Sequence, residues 1–211
     1  MALYSKENIA HGTFMGVWKK EEPLELLESV YLLNTHEEKE YQKISNETRK
    51  KEWLTTRILL TELLEKRSTI LYTEHWKPFI ENQKTNISIS HSQNFVALII
   101  SSDYYPGIDV ETISKRVEKV KHKFLSDDEL EWCLTLEQMT ACWSAKEAVF
   151  KIYEKELNFH DMVISPFDIE ANTGKIKLKV IKSTKEAQYV LTFCSIENDI
   201  LTYTLSKSAI D

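Results

Sequence analysis

Two spacings of apolar residues alternate along this chain and divide it into helices and strands. Thr13–Trp18 predicts a first strand, and Pro23 opens a helix through Glu28 with acids near the positive end of its dipole. Asn34 or Thr35 stops that helix and starts another over Glu37–Ile44. Asn46 caps a long third helix to about Lys66, with Trp53, Leu54, Ile58, Leu60, Leu63 and Leu64 on its apolar side. Ile87 and Ile89 alternate with Ser88 and Ser90, and Phe95–Ile100 is continuously apolar, so Ser90–Asn94 reads as a hairpin connection. Gly107–Glu111 is a short strand. Ser126 with Glu129 forms a capping box, and Leu125 with Leu130 a hydrophobic staple, so a helix begins there and leads on to a helix around Trp143. Asn172–Gly174 predicts a hairpin turn between Phe167–Glu170 and Lys175–Val180, and Gln188–Cys194 and Ile200–Leu205 are further strands. The polar, proline-ended stretch Ser101–Pro106 sets a boundary between residues 1–102 and 103–211.

Composition narrows the class. With 211 residues, 42% hydrophobic content, four Gly and four Pro, the chain can bury a sizeable core. A net charge of −6 argues against nucleic acid or an anionic membrane as general partners. The cysteines Cys133, Cys142 and Cys194 are odd in number, lack CxxC spacing and have apolar neighbours, so they read as reduced core thiols of a cytoplasmic protein. The start of the chain has no basic segment leading into an apolar run, and no window approaches the ~20 apolar residues of a membrane span. Lys115–Lys123 carries five Lys or Arg and reads as a solvated face.

The chemistry lies in two segments. In Gly107-Ile108-Asp109-Val110-Glu111 the pleat turns Asp109 and Glu111 to one face. In the helix Trp143-Ser144-Ala145-Lys146-Glu147-Ala148-Val149-Phe150-Lys151, four-residue spacing puts Trp143, Glu147 and Lys151 on one stripe, with Lys146 beside Glu147. Three carboxylates with adjacent lysines suit Mg²⁺ holding a phosphate ester. They are expected to be solvated. Taken singly, the same residues are strand-end acids and a surface ion pair worth about 0.3–0.5 kcal/mol. Upstream, Ser90-His91-Ser92 at a hairpin tip presents two hydroxyls and an imidazole, and Lys77 offers a cation in a loop, while Arg57, among apolar neighbours on the third helix, reads as a cation snorkelling with its stem on the core.

Together these segments closely resemble the signature of the 4′-phosphopantetheinyl transferase superfamily: a G-[IV]-D-[VIL]-E strand followed by a W-x-x-K-E-[SA]-x-x-K helix. Lys77-Pro78-Phe79 and Asn86-Ile87-Ser88-Ile89-Ser90-His91-Ser92 resemble its K-P-[YF] and [NS]-x-S-H-S elements, with Gln93 where a glycine is common. Trp53–Leu60 resembles its R-x-L-L helix. Phe124-Leu125-Ser126 followed by Glu129 resembles its phenylalanine-to-glutamate element. Chain length favours the Sfp-like branch.

The resemblance implies two similar α+β halves related by a pseudo-twofold axis, in a monomer. It implies transfer of the 4′-phosphopantetheine arm of coenzyme A to a serine of an apo-acyl or peptidyl carrier protein, releasing 3′,5′-ADP. Asp109, Glu111 and Glu147 would hold Mg²⁺, with Glu147 also a candidate base. Lys151 and Lys146 would meet the pyrophosphate, and Arg57, Lys77, Ser90 and His91 the nucleotide phosphates. Lys39 and Lys43 are further phosphate candidates. Trp143 is expected to pack under its helix. Two other readings stay open: a non-catalytic coenzyme A or carrier-binding module, and a metal-dependent nuclease. The nuclease normally places its acid and lysine as E-x-K on a strand rather than on a helix.

Overall fold

A computed structural model describes residues 2–153, 157–182 and 185–208. The chain is α+β and divides into two units, Met1–Asp103 and Tyr104–Asp211.

The first unit is built on a four-stranded antiparallel sheet. Its strands are β1 (Leu3–Ala10), β2 (Thr13–Lys19), β5 (Asn86–His91) and β6 (Phe95–Ser101), in the order β1-β2-β6-β5. A two-residue turn joins β1 to β2, and Gly12 takes the left-handed φ of 57° that a side chain would resist. A strand over residues 3–10 is not visible in the pattern of the sequence. It lies at the sheet edge with Lys6, Glu7 and mostly exposed neighbours, so no alternation of apolar residues announces it. Helices α1 (Leu24–Val30), α2 (Thr35–Tyr41) and α3 (Glu47–Leu64) follow β2, with β3 (Ile70–Tyr72) and β4 (Pro78–Ile80) forming a small separate hairpin. Asn34 caps α2 through a full capping box, and Asn46 caps α3 by accepting from the Arg49 amide. α3 packs on β2 and β6, where Leu54, Leu59, Leu60, Trp18 and Leu98 form one apolar core.

The second unit holds a five-stranded antiparallel sheet. Its strands are β7 (Tyr105–Thr112), β8 (Met162–Ile164), β9 (Thr173–Lys182), β10 (Lys185–Ile196) and β11 (Asp199–Ser206), in the order β7-β11-β10-β9-β8. Helices α4 (Lys115–Val120), α5 (Asp127–Trp132) and α6 (Leu136–Phe150) lie between β7 and β8 in sequence. Ser126 and Thr135 each complete a capping box, starting α5 and α6. The expected hairpin at Asn172–Gly174 is absent. Residues 165–170 form no strand, Thr173 and Gly174 already belong to β9, and β9 pairs with β10 from Thr173↔Cys194 to Lys182↔Lys185. Phe167 instead folds its ring against Trp132 and Phe193. Gly174 faces that same Phe193 ring, so its role is packing rather than a turn. Cys133 and Cys142 are buried free thiols with sulfurs 3.7 Å apart, while Cys194 is half-buried.

α6 packs across β7 and β11, and two features fix that contact. Ser144 Oγ meets Thr202 Oγ1 at 2.9 Å in the interior. Gly107 lets the helix backbone come down onto β7. A Cβ there would overlap the carbonyl oxygen of Ala148 and stand 3.0 Å from Ile152 Cγ1. Because the obstacle is backbone, Gly107→Ala must push α6 off β7. We expect it to lose at least about 2 kcal/mol of stability in urea titration, in the range of overpacked cores. A variant as stable as the parent would show that the helix can shift freely.

Candidate active site

The strand Tyr105–Thr112 and the C-terminal turns of α6 bring four expected residues together. Asp109 and Glu111 alternate with the buried Ile108 and Val110, as the pleat requires, and share the face of β7 that carries Gly107, against which α6 packs. Lys151 closes α6 and reaches back to β7, donating from Nζ to the Ile108 carbonyl and to Asp109 Oδ1, both at 2.8 Å. A cation there also suits the negative end of the helix dipole. Trp143, one turn before Glu147, packs its ring against Phe124 and Phe159 and donates its indole N–H to Glu111 Oε1 at 3.0 Å. Packing under the helix was legible in the sequence; the hydrogen bond that aims Glu111 was not.

The carboxylates are less solvated than expected. Asp109 is buried, and Glu111 and Glu147 are half-buried, because α6 lies so close to the strand. Burial, then the charges of Asp109 and Glu111, push the Glu147 carboxyl up to about 7, against the pull of Lys151. Glu111 is also raised, first by burial and then by Asp109, with Trp143, Lys151 and Arg116 opposing. Three acids therefore crowd one lysine. Among the described residues, no three ligating side chains already converge on one point tightly enough to hold an ion. The donor set nevertheless fits a hard divalent cation: all oxygen, from two rigid elements, with a repulsion that such an ion would relieve.

That repulsion has a measurable consequence. Glu147 holds its proton more tightly folded, at about 7, than unfolded at 4.5, so the native state gains relative to the unfolded chain below this window. Stability falls as pH rises from about 4.5 to 7. Glu147→Gln removes the penalty, and in metal-free buffer at pH 8 it should raise stability by about 1–3 kcal/mol, with the gain vanishing near pH 4.5. Thermal melts across pH check it; equal melting of the two proteins at pH 8 would remove the claimed strain.

Lys146 is not with them. Its side chain points the other way into the core, fully buried, donating to the Phe124 carbonyl at 2.6 Å and to Glu129 Oε2 at 2.7 Å. Glu129 in turn accepts from the Ser126 and Ile164 amides at 2.8 and 2.7 Å. Burial lowers the Lys146 pKa against the opposing pull of Glu129. This corrects the expectation that Lys146 meets the pyrophosphate: adjacent residues on a helix point about 100° apart, and only Glu147 faces β7. A lysine flanked by the buried Ala145 and by Ala148 and Val149 was the signal for an internal ion pair.

In the first unit the expected phosphate contacts differ in exposure. Arg57 is only 1% exposed, stacked 3.2 Å over the Trp53 ring, with Nε and Nη2 turned to Glu37 and Glu40 at 3.6 and 3.5 Å. It is an interior cation held between carboxylates and an indole, not an open phosphate grip. Ser90 is buried at the end of β5, whereas His91 is half-exposed with Nδ1 3.6 Å from Glu52 Oε1. Lys77 is half-buried beside the exposed Trp76 at the tip of the β3–β4 hairpin. Lys39 and Lys43 are exposed on and after α2.

The sequence model of the 4′-phosphopantetheinyl transferase superfamily matches residues 105–194, from the acidic strand through α6 and nearly to the end of β10. Over these residues, fewer than half of the 211, the chain is similar to that superfamily. A search of curated proteins returned no match. No helix among the described residues is long and apolar enough to cross a membrane.

Proposed function

We propose that the protein is an Sfp-like 4′-phosphopantetheinyl transferase with two similar halves, acting on coenzyme A and the serine of an apo-acyl or peptidyl carrier protein in the cytoplasm. The observation that carries this reading is the meeting of Asp109, Glu111, Glu147 and Lys151 where β7 lies against the end of α6, inside the matched region. The serine oxygen bonds to the β-phosphorus of coenzyme A as the bond from that phosphorus to the bridging oxygen breaks, and 3′,5′-ADP leaves with that oxygen. Glu147, the half-buried carboxylate that α6 presents beside Asp109, is the candidate to take the serine proton. Lys151 supplies fixed positive charge beside Asp109, and its bond to the Ile108 carbonyl keeps it in place as charge develops on phosphate oxygens.

Asp109, Glu111 and Glu147 would hold Mg²⁺, which when bound supplies charge neutralisation for the pyrophosphate. Trp143 keeps Glu111 turned toward that set. On the nucleotide side we assign Lys77, Ser90 and His91 to the phosphates of coenzyme A, with Arg57 shaping the region from the interior. The reading is tested by the released nucleotide. With coenzyme A, Mg²⁺ and an apo-carrier, 3′,5′-ADP should accumulate; omitting the carrier or adding chelator should stop it. Release that ignores the carrier would make the protein a hydrolase instead.

A further inference from the structure

Outside the acidic site, one buried charge pair sits under the Ser90-His91-Ser92 turn. Lys20 follows β2, and its side chain is 6% exposed. It donates to the Ser92 carbonyl at 2.6 Å and to Glu52 Oε1, on α3, at 2.9 Å. The Lys20 amide donates to Asn94 O at 2.8 Å, so both ends of the turn are tied to this residue. Ser92 closes the turn from inside, its hydroxyl accepting from the Asn94 and Phe95 amides. The same Glu52 oxygen that receives Lys20 stands 3.6 Å from His91 Nδ1.

We infer that Lys20 and Glu52 are positioning residues for anion recognition by His91. The inference rests on the assignment of His91 to the coenzyme A phosphates. Lys20 is too deeply buried to meet a ligand, and its ammonium is already engaged by two acceptors. Its contribution is geometric: it fixes the turn to α3 and holds Glu52 in place. Glu52 then stands with its Oε1 3.6 Å from Nδ1, so a carboxylate fixed by Lys20 faces the inner side of the ring and sets its orientation. The half-exposed His91 thereby becomes the outward member of a three-residue relay whose other side chains are 6% and 15% exposed. A phosphate monoester is the ligand class that an outward imidazole N–H held in this way suits, and coenzyme A differs from 3′-dephospho-coenzyme A by one such group.

Calorimetric titration of the full chain with both nucleotides tests the relay. Wild-type protein should prefer coenzyme A. Glu52→Gln should weaken coenzyme A about tenfold, the loss expected when one charge-assisted hydrogen bond is impaired, and leave 3′-dephospho-coenzyme A unchanged. Glu52→Asp should recover part of the preference, and Glu52→Gln added to His91→Ala should cost nothing further, since the glutamate acts through the histidine. Equal weakening of both ligands would make the pair merely structural. An unchanged preference in Glu52→Gln, with the preference lost in His91→Ala, would remove Glu52 while keeping His91. No preference in the wild type would overturn both the relay and the His91 assignment beneath it.

Discussion

Asp109→Asn should lower transfer at least a hundredfold while the protein stays folded. The amide keeps the size of the carboxylate and can still accept from Lys151 Nζ, now 2.8 Å away, so the contact between β7 and α6 survives. Its negative charge does not. Losing that charge also relieves Glu111 and Glu147, both raised by Asp109, which offsets the loss of the ion pair with Lys151. Stability is therefore expected within about 1–2 kcal/mol of the parent, whereas on the proposed reading the charge that would hold Mg²⁺ has no substitute in the transition state. Initial rates of carrier modification, together with urea titration, separate the two effects. Full activity would take Asp109 out of the site; a collapsed fold would make it a structural residue.

Lys146→Met should be the most destabilising of the single changes considered. It leaves Glu129 charged in a fully buried position from which its ammonium partner has gone, a situation that costs about 3–5 kcal/mol. Glu129 still receives the Ser126 and Ile164 amides, which sets the loss toward the lower end. Adding Glu129→Leu removes the stranded charge but strands those two amides, so the double variant should recover only part of the loss. Urea titration of both variants checks this. A loss under about 1 kcal/mol for Lys146→Met would mean that water reaches the pair.

Much of this architecture is written in local patterns. The caps at Asn46 and Ser126 name helix starts because a side-chain oxygen must meet amides that the helix leaves open. Asp109 and Glu111 on one face, and Glu147 and Lys151 on one stripe, follow from the two periodicities alone, and the structure joins them. What the patterns leave out is which elements meet and how closely. Lys146 is one residue from Glu147 yet lies in the core, because the partner that draws it inward is Glu129, seventeen residues away in sequence. Arg57 stands among apolar neighbours in the sequence, which suits a cation with its stem on the core, and the phosphate grip comes from the resemblance alone; Glu37 and Glu40 on α2 face it in the interior. β1 is silent because an edge strand need bury little, and residues 167–170 mimic a strand through aromatic packing without pairing. Lys20 and Glu52 have no pattern between them; only the folding of β2 against α3 brings them together.

The most direct test of the central claim is the intact mass of an apo-carrier after incubation with the protein, coenzyme A and Mg²⁺. The account predicts a carrier heavier by one phosphopantetheine on a single serine, no change with chelator present, and almost none with Asp109→Asn. Carriers of several kinds that all keep their original mass, while the protein binds coenzyme A in the same solution, would contradict it.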